Sequence, residues 1–98
     1  MLLRIFKVTV HEGKEDEFRD FFLNTAIPLM RRTPGLDTLL PGLPHAQAPQ
    51  TFCMAMAWRD LDALRAFVGE DWATPHIHPD EEGIVKHRSL DHFDLVPV

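Results

Sequence analysis

Disulfide chemistry is absent from this chain, whose only cysteine is Cys53. A lone thiol excludes an internal disulfide framework and the small secreted scaffolds that depend on one. No long apolar run occurs either. The stretch 1–10 is apolar but broken by Arg4 and Lys7, too short and too interrupted for a membrane span or the apolar core of a signal peptide. Basic charge is scarce: ten Lys and Arg against fifteen Asp and Glu leave a formal charge of −5, and only Arg31 and Arg32 adjoin. Without a basic stripe to neutralise phosphates, a nucleic-acid partner is not expected. Tyrosine is missing and Asn24 is the sole asparagine, so few neutral polar groups can serve a binding pocket. There is no Gly-rich phosphate loop, Walker signature, zinc quartet or serine nucleophile elbow. What remains is a small, soluble, cytoplasmic protein with neither membrane nor nucleic-acid partner.

What is present reads as one folded domain spanning residues 1–98. Hydrophobic residues make up 45% and charged residues 26%, ordinary values for a globular chain. A chain this short buries only about 60–65% of the surface its unfolded form exposes, so a partner surface would help it. Leu2–Val10 reads as a strand with Leu2, Phe6, Val8 and Val10 on one face and Leu3 and Ile5 on the other. A helix starts near Lys14 with Glu15, Asp16 and Glu17 in its first turn, where negative charge suits the helix dipole. Its stripe is Phe18, Phe22, Thr25 and Leu29, with Phe21 widening it. Pro28 cannot bond the carbonyl of Asn24, which predicts a kink or break. Residues 36–40 read as a short second strand, and Pro41, Gly42, Pro44 and Pro49 as a loop.

The clearest strand is 50–58, with Phe52, Met54, Met56 and Trp58 on one face and Cys53, Ala55 and Ala57 on the other. Asp60 is placed to cap a helix over Leu61–Val68, closed by Gly69. Residues 70–79 read as irregular, 80–86 as one helical turn, and 87–96 as the last strand. The order strand, helix, strand, strand, helix, strand predicts an α+β, ferredoxin-like βαββαβ fold, a four-stranded antiparallel sheet with both helices on one face. Strand three is apolar on both faces, so whichever one the helices leave bare needs cover. A second copy related by a two-fold axis supplies that cover most simply, predicting a homodimer through the sheet face. Which face meets the partner stays open.

At three places the chain resembles the antibiotic biosynthesis monooxygenase-like family of dimeric α+β barrels. These are Gly13 through Phe18, the run Pro34, Gly35, Leu36, and Trp58 through Leu64. The resemblance implies a homodimeric barrel with a pocket between sheet and helices. It further implies a cofactor-independent monooxygenase or oxidoreductase acting on a small aromatic compound of phenol or quinol type. Haem-degrading members of the family use an Asn on strand one and a Trp in the second helix. Here those positions fall at about Phe6 or Lys7 and at Phe67, and only the His region, at His76 or His78, matches.

His76 and His78 are the catalytic candidates, because a histidine with a pKa near 6.5 can take the proton of a phenol. Residues two apart in an extended segment also face the same way, so the pair offers a weaker metal or haem reading. No metal or cofactor is otherwise expected. Trp58, Phe22 and Phe67 read as core side chains that double as pocket wall, and Trp72 as a rim that contacts ligand. Cys53 reads as a buried inert thiol. A non-catalytic dimeric barrel holding a small apolar ligand is the alternative reading.

Overall fold

The computed structural model describes residues 1–75 and 83–98. Strands β1 (Leu2–Val10), β2 (Leu36–Gly42), β3 (Thr51–Trp58) and β4 (Val85–Asp94) form an antiparallel sheet ordered β2-β3-β1-β4. Helical segments join β1 to β2 and β3 to β4, giving the βαββαβ arrangement that the sequence predicts. The two central strands are the most apolar ones, as burial between a helical layer and a second face demands. Among the described residues no helix is long and apolar enough to cross a membrane.

The first helical segment has three parts: α1 (Glu15–Phe21), a π-helical turn over Phe22–Ala26, and α2 (Ile27–Arg31). Proline explains the middle part. Pro28 has no N–H for the Asn24 carbonyl, and the amide of Ile27 instead reaches back to Phe22 O. The chain absorbs the missing bond as a wider turn ahead of Pro28 and continues without a break. Asp60 caps α3 (Leu61–Val68): its Oδ1 accepts from the amide of Ala63 at 2.8 Å. Gly69, at φ +87°, ends it.

The helices cover the large face of β3. Phe52, Met54, Met56 and Trp58 are buried there with Phe18, Phe22 and Ile27 from the first segment and Ala63 and Leu64 from α3. Phe18 and Phe52 meet with ring centroids 4.7 Å apart, a geometry that adds about 0.5–1.5 kcal/mol beyond area burial. At Gly35, φ is +84°, and a Cβ built there would lie 2.5 Å from the Cβ of Ala63. Only glycine lets the start of β2 run this close to α3.

The opposite face lies open in the single chain. Cross-strand register puts Leu3 beside Ala57 and Phe93, and Ile5 beside Ala55, itself beside Leu40. Leu3, Ile5, Cys53, Ala55 and Ala57 are half-buried, while Leu40 and Phe93 are exposed.

Two elements depart from the sequence reading. Pro41 and Gly42 extend β2 instead of opening a loop, which proline tolerates because β2 is an edge strand. β4 begins at Val85, so Val85 and Lys86 are strand, not helical turn. Their pairing with β1, which runs to Val10 against Val85, overrides the local pattern. Residues 80–82 of that predicted turn lie outside the described residues.

Candidate functional site

Arg4 shares the helix-facing side of β1 with Leu2, Phe6 and Val8, opposite Met56 on β3 and His92 on β4. It is 4% exposed, the one charged residue buried among the described residues. Its Nη1 donates to Trp72 O at 2.6 Å and to His92 Nε2 at 3.1 Å. A guanidinium only donates, so His92 Nε2 accepts, which makes that imidazole neutral with its proton on Nδ1. Burial lowers the Arg4 pKa to about 10, and the group stays charged at neutral pH. His92 is lowered too, first by desolvation and then by the Arg4 charge, with Asp91 opposing both.

Trp72 and His92 meet edge to face, ring centroids 5.0 Å apart at 87°. They wall an open cleft of about 440 Å³ at the end of the sheet, which Leu2, Leu61, Asp60 and Asp94 also line. Asp60 is there because it caps α3, and His92 because β4 pairs with β1 in that register. The cleft therefore combines aromatic and apolar wall with a polarised imidazole and, one hydrogen bond behind it, an interior cation.

The structure places the sequence candidates in different surroundings. Trp72 stands in the cleft. Phe22 is buried among Phe18 and Phe52 and lines a separate cavity of about 40 Å³. Trp58 is fully buried and packs on Phe67, centroids 5.6 Å apart, while Phe67 is 37% exposed. Trp58 Nε1 is buried without a hydrogen-bond partner among the described residues. His76 and His78 lie outside the described residues. Cys53 is half-buried on the open face. No group of three or more His, Cys, Asp or Glu able to hold a metal occurs among the described residues.

Sequence reasoning missed Arg4 and His92. The signal was available: Arg4 sits at an even position in a strand whose other even positions are all apolar, so its side chain had to enter the core with them.

The profile of the antibiotic biosynthesis monooxygenase family matches residues 1–78. A candidate antibiotic biosynthesis monooxygenase from Deinococcus radiodurans superposes with a TM-score of 0.76 at 12% identity, over 100% of this chain and 95% of that one. Another from Nitrosomonas europaea gives 0.76 at 16% identity, over 99% and 100%. A mutant of MhuD, solved with two manganese protoporphyrin IX bound per active site, gives 0.70 at 18%, over 100% and 97%. Identities this low establish a shared fold. No curated protein matches the sequence.

Proposed function

Since the chain belongs to the antibiotic biosynthesis monooxygenase family, we propose that it is a monooxygenase-type protein that seats a small phenol- or quinol-like compound in the cleft beside Trp72. The observation that carries this reading is the cleft, an aromatic wall next to a hydrogen-bond donor of fixed orientation. Such a mixture suits a flat, partly polar ligand.

The chemistry closes without a cofactor. A phenol and O2 together hold the atoms of a quinone and one water, so the substrate supplies every electron that reduces oxygen. One oxygen atom joins the ring and the other leaves as water. The protein must then remove the hydroxyl proton and keep the ring in place. His92 is a poor base for this, because its unprotonated nitrogen is taken up by Arg4. His92 Nδ1–H instead orients or stabilises a developing oxyanion. We assign the base to His76 or His78, which follow the cleft residue Trp72 closely in sequence. Trp58, which immediately precedes the cleft residues Arg59 and Asp60, and Phe67 packed on it shape the layer behind the ligand, while Phe22 lines the separate cavity. Haem is not part of the proposal, since the positions that carry Asn and Trp in the haem-degrading members fall here at about Phe6 or Lys7 and at about Phe67. Two copies pairing through the open face, with Ala55 and Ala57 at its centre, complete the barrel.

Oxygen uptake on a panel of hydroquinones tests the reading. Turnover that falls by about 10²–10⁴-fold in the double variant His76→Ala, His78→Ala supports it. Equal uptake with and without the two histidines removes the base assignment. Binding without product supports the second reading, a non-catalytic barrel, which is favoured by the engaged state of His92.

A further inference from the structure

We propose that the Arg4–His92 contact is a proton-operated latch on the cleft. Neutral His92 keeps the ligand wall in place, and protonation in mildly acidic solution releases it. The inference rests on the cleft being a ligand site, and adds how that site is regulated.

The first observation is the direction of the hydrogen bond. Arg4 Nη1 lies 3.1 Å from His92 Nε2, and a guanidinium has only donors. Nε2 can therefore accept from Arg4 or carry a proton, never both. Arg4 cannot yield, because its pKa of about 10 keeps it charged throughout the range in which an imidazole titrates. A proton on Nε2 sets two cationic donors face to face.

The second is which partner can move. The two residues are direct cross-strand neighbours, so their backbones cannot separate without unzipping β4 from β1. Arg4 is buried and pinned by the Trp72 carbonyl at 2.6 Å. His92 is half-buried on an edge strand and borders the open cleft. The imidazole is the group with somewhere to go, and its way out is the cleft.

The third is what the imidazole holds. Its ring meets that of Trp72 edge to face, centroids 5.0 Å apart, so swinging it out dismantles the aromatic wall and misdirects Nδ1–H. The charged groups around it among the described residues are Arg4 on β1, Asp91 and Asp94 on β4, Arg59 and Asp60 ahead of α3, and the Met1 amino group. Asp60 is paired with Arg59, and Asp91 lies on the opposite face of the sheet. Burial and Arg4 together outweigh Asp91, and the imidazole titrates below its ordinary value. A further carboxylate would move the midpoint and leave the incompatibility at Nε2 as it is.

Nuclear magnetic resonance of the ligand-free full chain between about pH 7.5 and 4.5 tests the latch. Calorimetric titration with hydroquinone over the same range tests its effect. At neutral pH the His92 ring should carry its proton on Nδ1, and cross-relaxation should link its ring protons to those of Trp72. Below the midpoint that cross-relaxation should vanish. Hydroquinone, a phenol with a pKa near 10, stays uncharged over this range. Its affinity should therefore fall about tenfold per pH unit below the same midpoint. His92→Gln, which accepts from Arg4 and does not titrate, should keep a level affinity. Ring contacts that persist through the titration, or a proton found on Nε2 at neutral pH, overturn the latch. An affinity that stays level in wild type, or falls equally in His92→Gln, overturns its control of the cleft. If hydroquinone binds at no pH while the ring contacts still break, the ligand-site reading falls and the latch stands. Should His92→Gln fail to fold, the wild-type midpoints decide: one shared by His92 and by affinity supports the proposal, and two separate ones overturn it.

Discussion

Replacing Arg4 by Met should make the ligand-free protein more stable. The side chain is almost wholly buried on the core side of a central strand, and its charge faces no carboxylate among the described residues. Removing an effective desolvation penalty of several kcal/mol is the favourable term. Against it stand the acceptors left behind. Trp72 O loses its donor, at about 1–3 kcal/mol if no water reaches it, while His92 borders the open cleft and can be wetted. Methionine fills most of the vacated length and adapts to irregular space. The net is a gain of about 1–2 kcal/mol, which for a domain of this size raises Tm by roughly 4–16 °C. Thermal and urea melts of wild type and Arg4→Met without ligand measure it. A loss of Tm of similar size would refute the reasoning. Arg4 would then be a structural brace for the Trp72 turn whose hydrogen bonds outweigh the cost of its burial.

Three further outcomes follow from the packing and the charges. His92 titrates below its ordinary value in the folded chain, so between that lowered value and about 6.5 the unfolded state binds more protons. Stability should therefore fall as pH drops through this window, and His92→Gln, whose side-chain oxygen can still accept from Arg4, should flatten the fall in pH-dependent urea melts. Gly35→Ala should cost about 2–4 kcal/mol, from positive φ and the clash with Ala63 together. Part of that should return in the double variant with Ala63→Gly, whereas additive losses in a melt series would exclude the contact. Ala55→Arg, on the open face, should leave circular dichroism unchanged and convert a dimer into an 11.3 kDa species in sedimentation. A wild-type chain that already sediments at 11.3 kDa at high concentration removes the two-fold pairing.

Much of this fold was legible beforehand, for local reasons. The alternation of Phe52, Met54, Met56 and Trp58 is a period-two pattern that only a strand satisfies. Asp60 and Gly69 bracket α3 because a carboxylate can serve an early helix amide and glycine tolerates positive φ. The rest depends on contacts between distant segments. Both faces of β3 are apolar, so the side that receives the helices is decided by their bulk. Phe18 and Phe22 need large partners, and the large face supplies them. Pro41 looked like a loop residue because its edge position, which excuses a missing donor, is a property of strand order. Arg4 looked like an interruption in an apolar run. Its significance arises only when β4 brings His92 beside it and the turn after α3 brings the Trp72 carbonyl over it. Trp72 was expected at a pocket rim from its type and surroundings, and it lines an open cleft.

The central claim, that ligand binds against Trp72 above the Arg4 and His92 pair, can be read in one spectrum. The chain has two tryptophans, and in a 15N-labelled sample their indole N–H signals are assigned by single Trp→Phe variants. On titration with a hydroquinone, the Trp72 signal should move progressively to saturation while that of the fully buried Trp58 stays in place. A titration in which Trp58 shifts and Trp72 does not, or in which neither responds, would contradict the account.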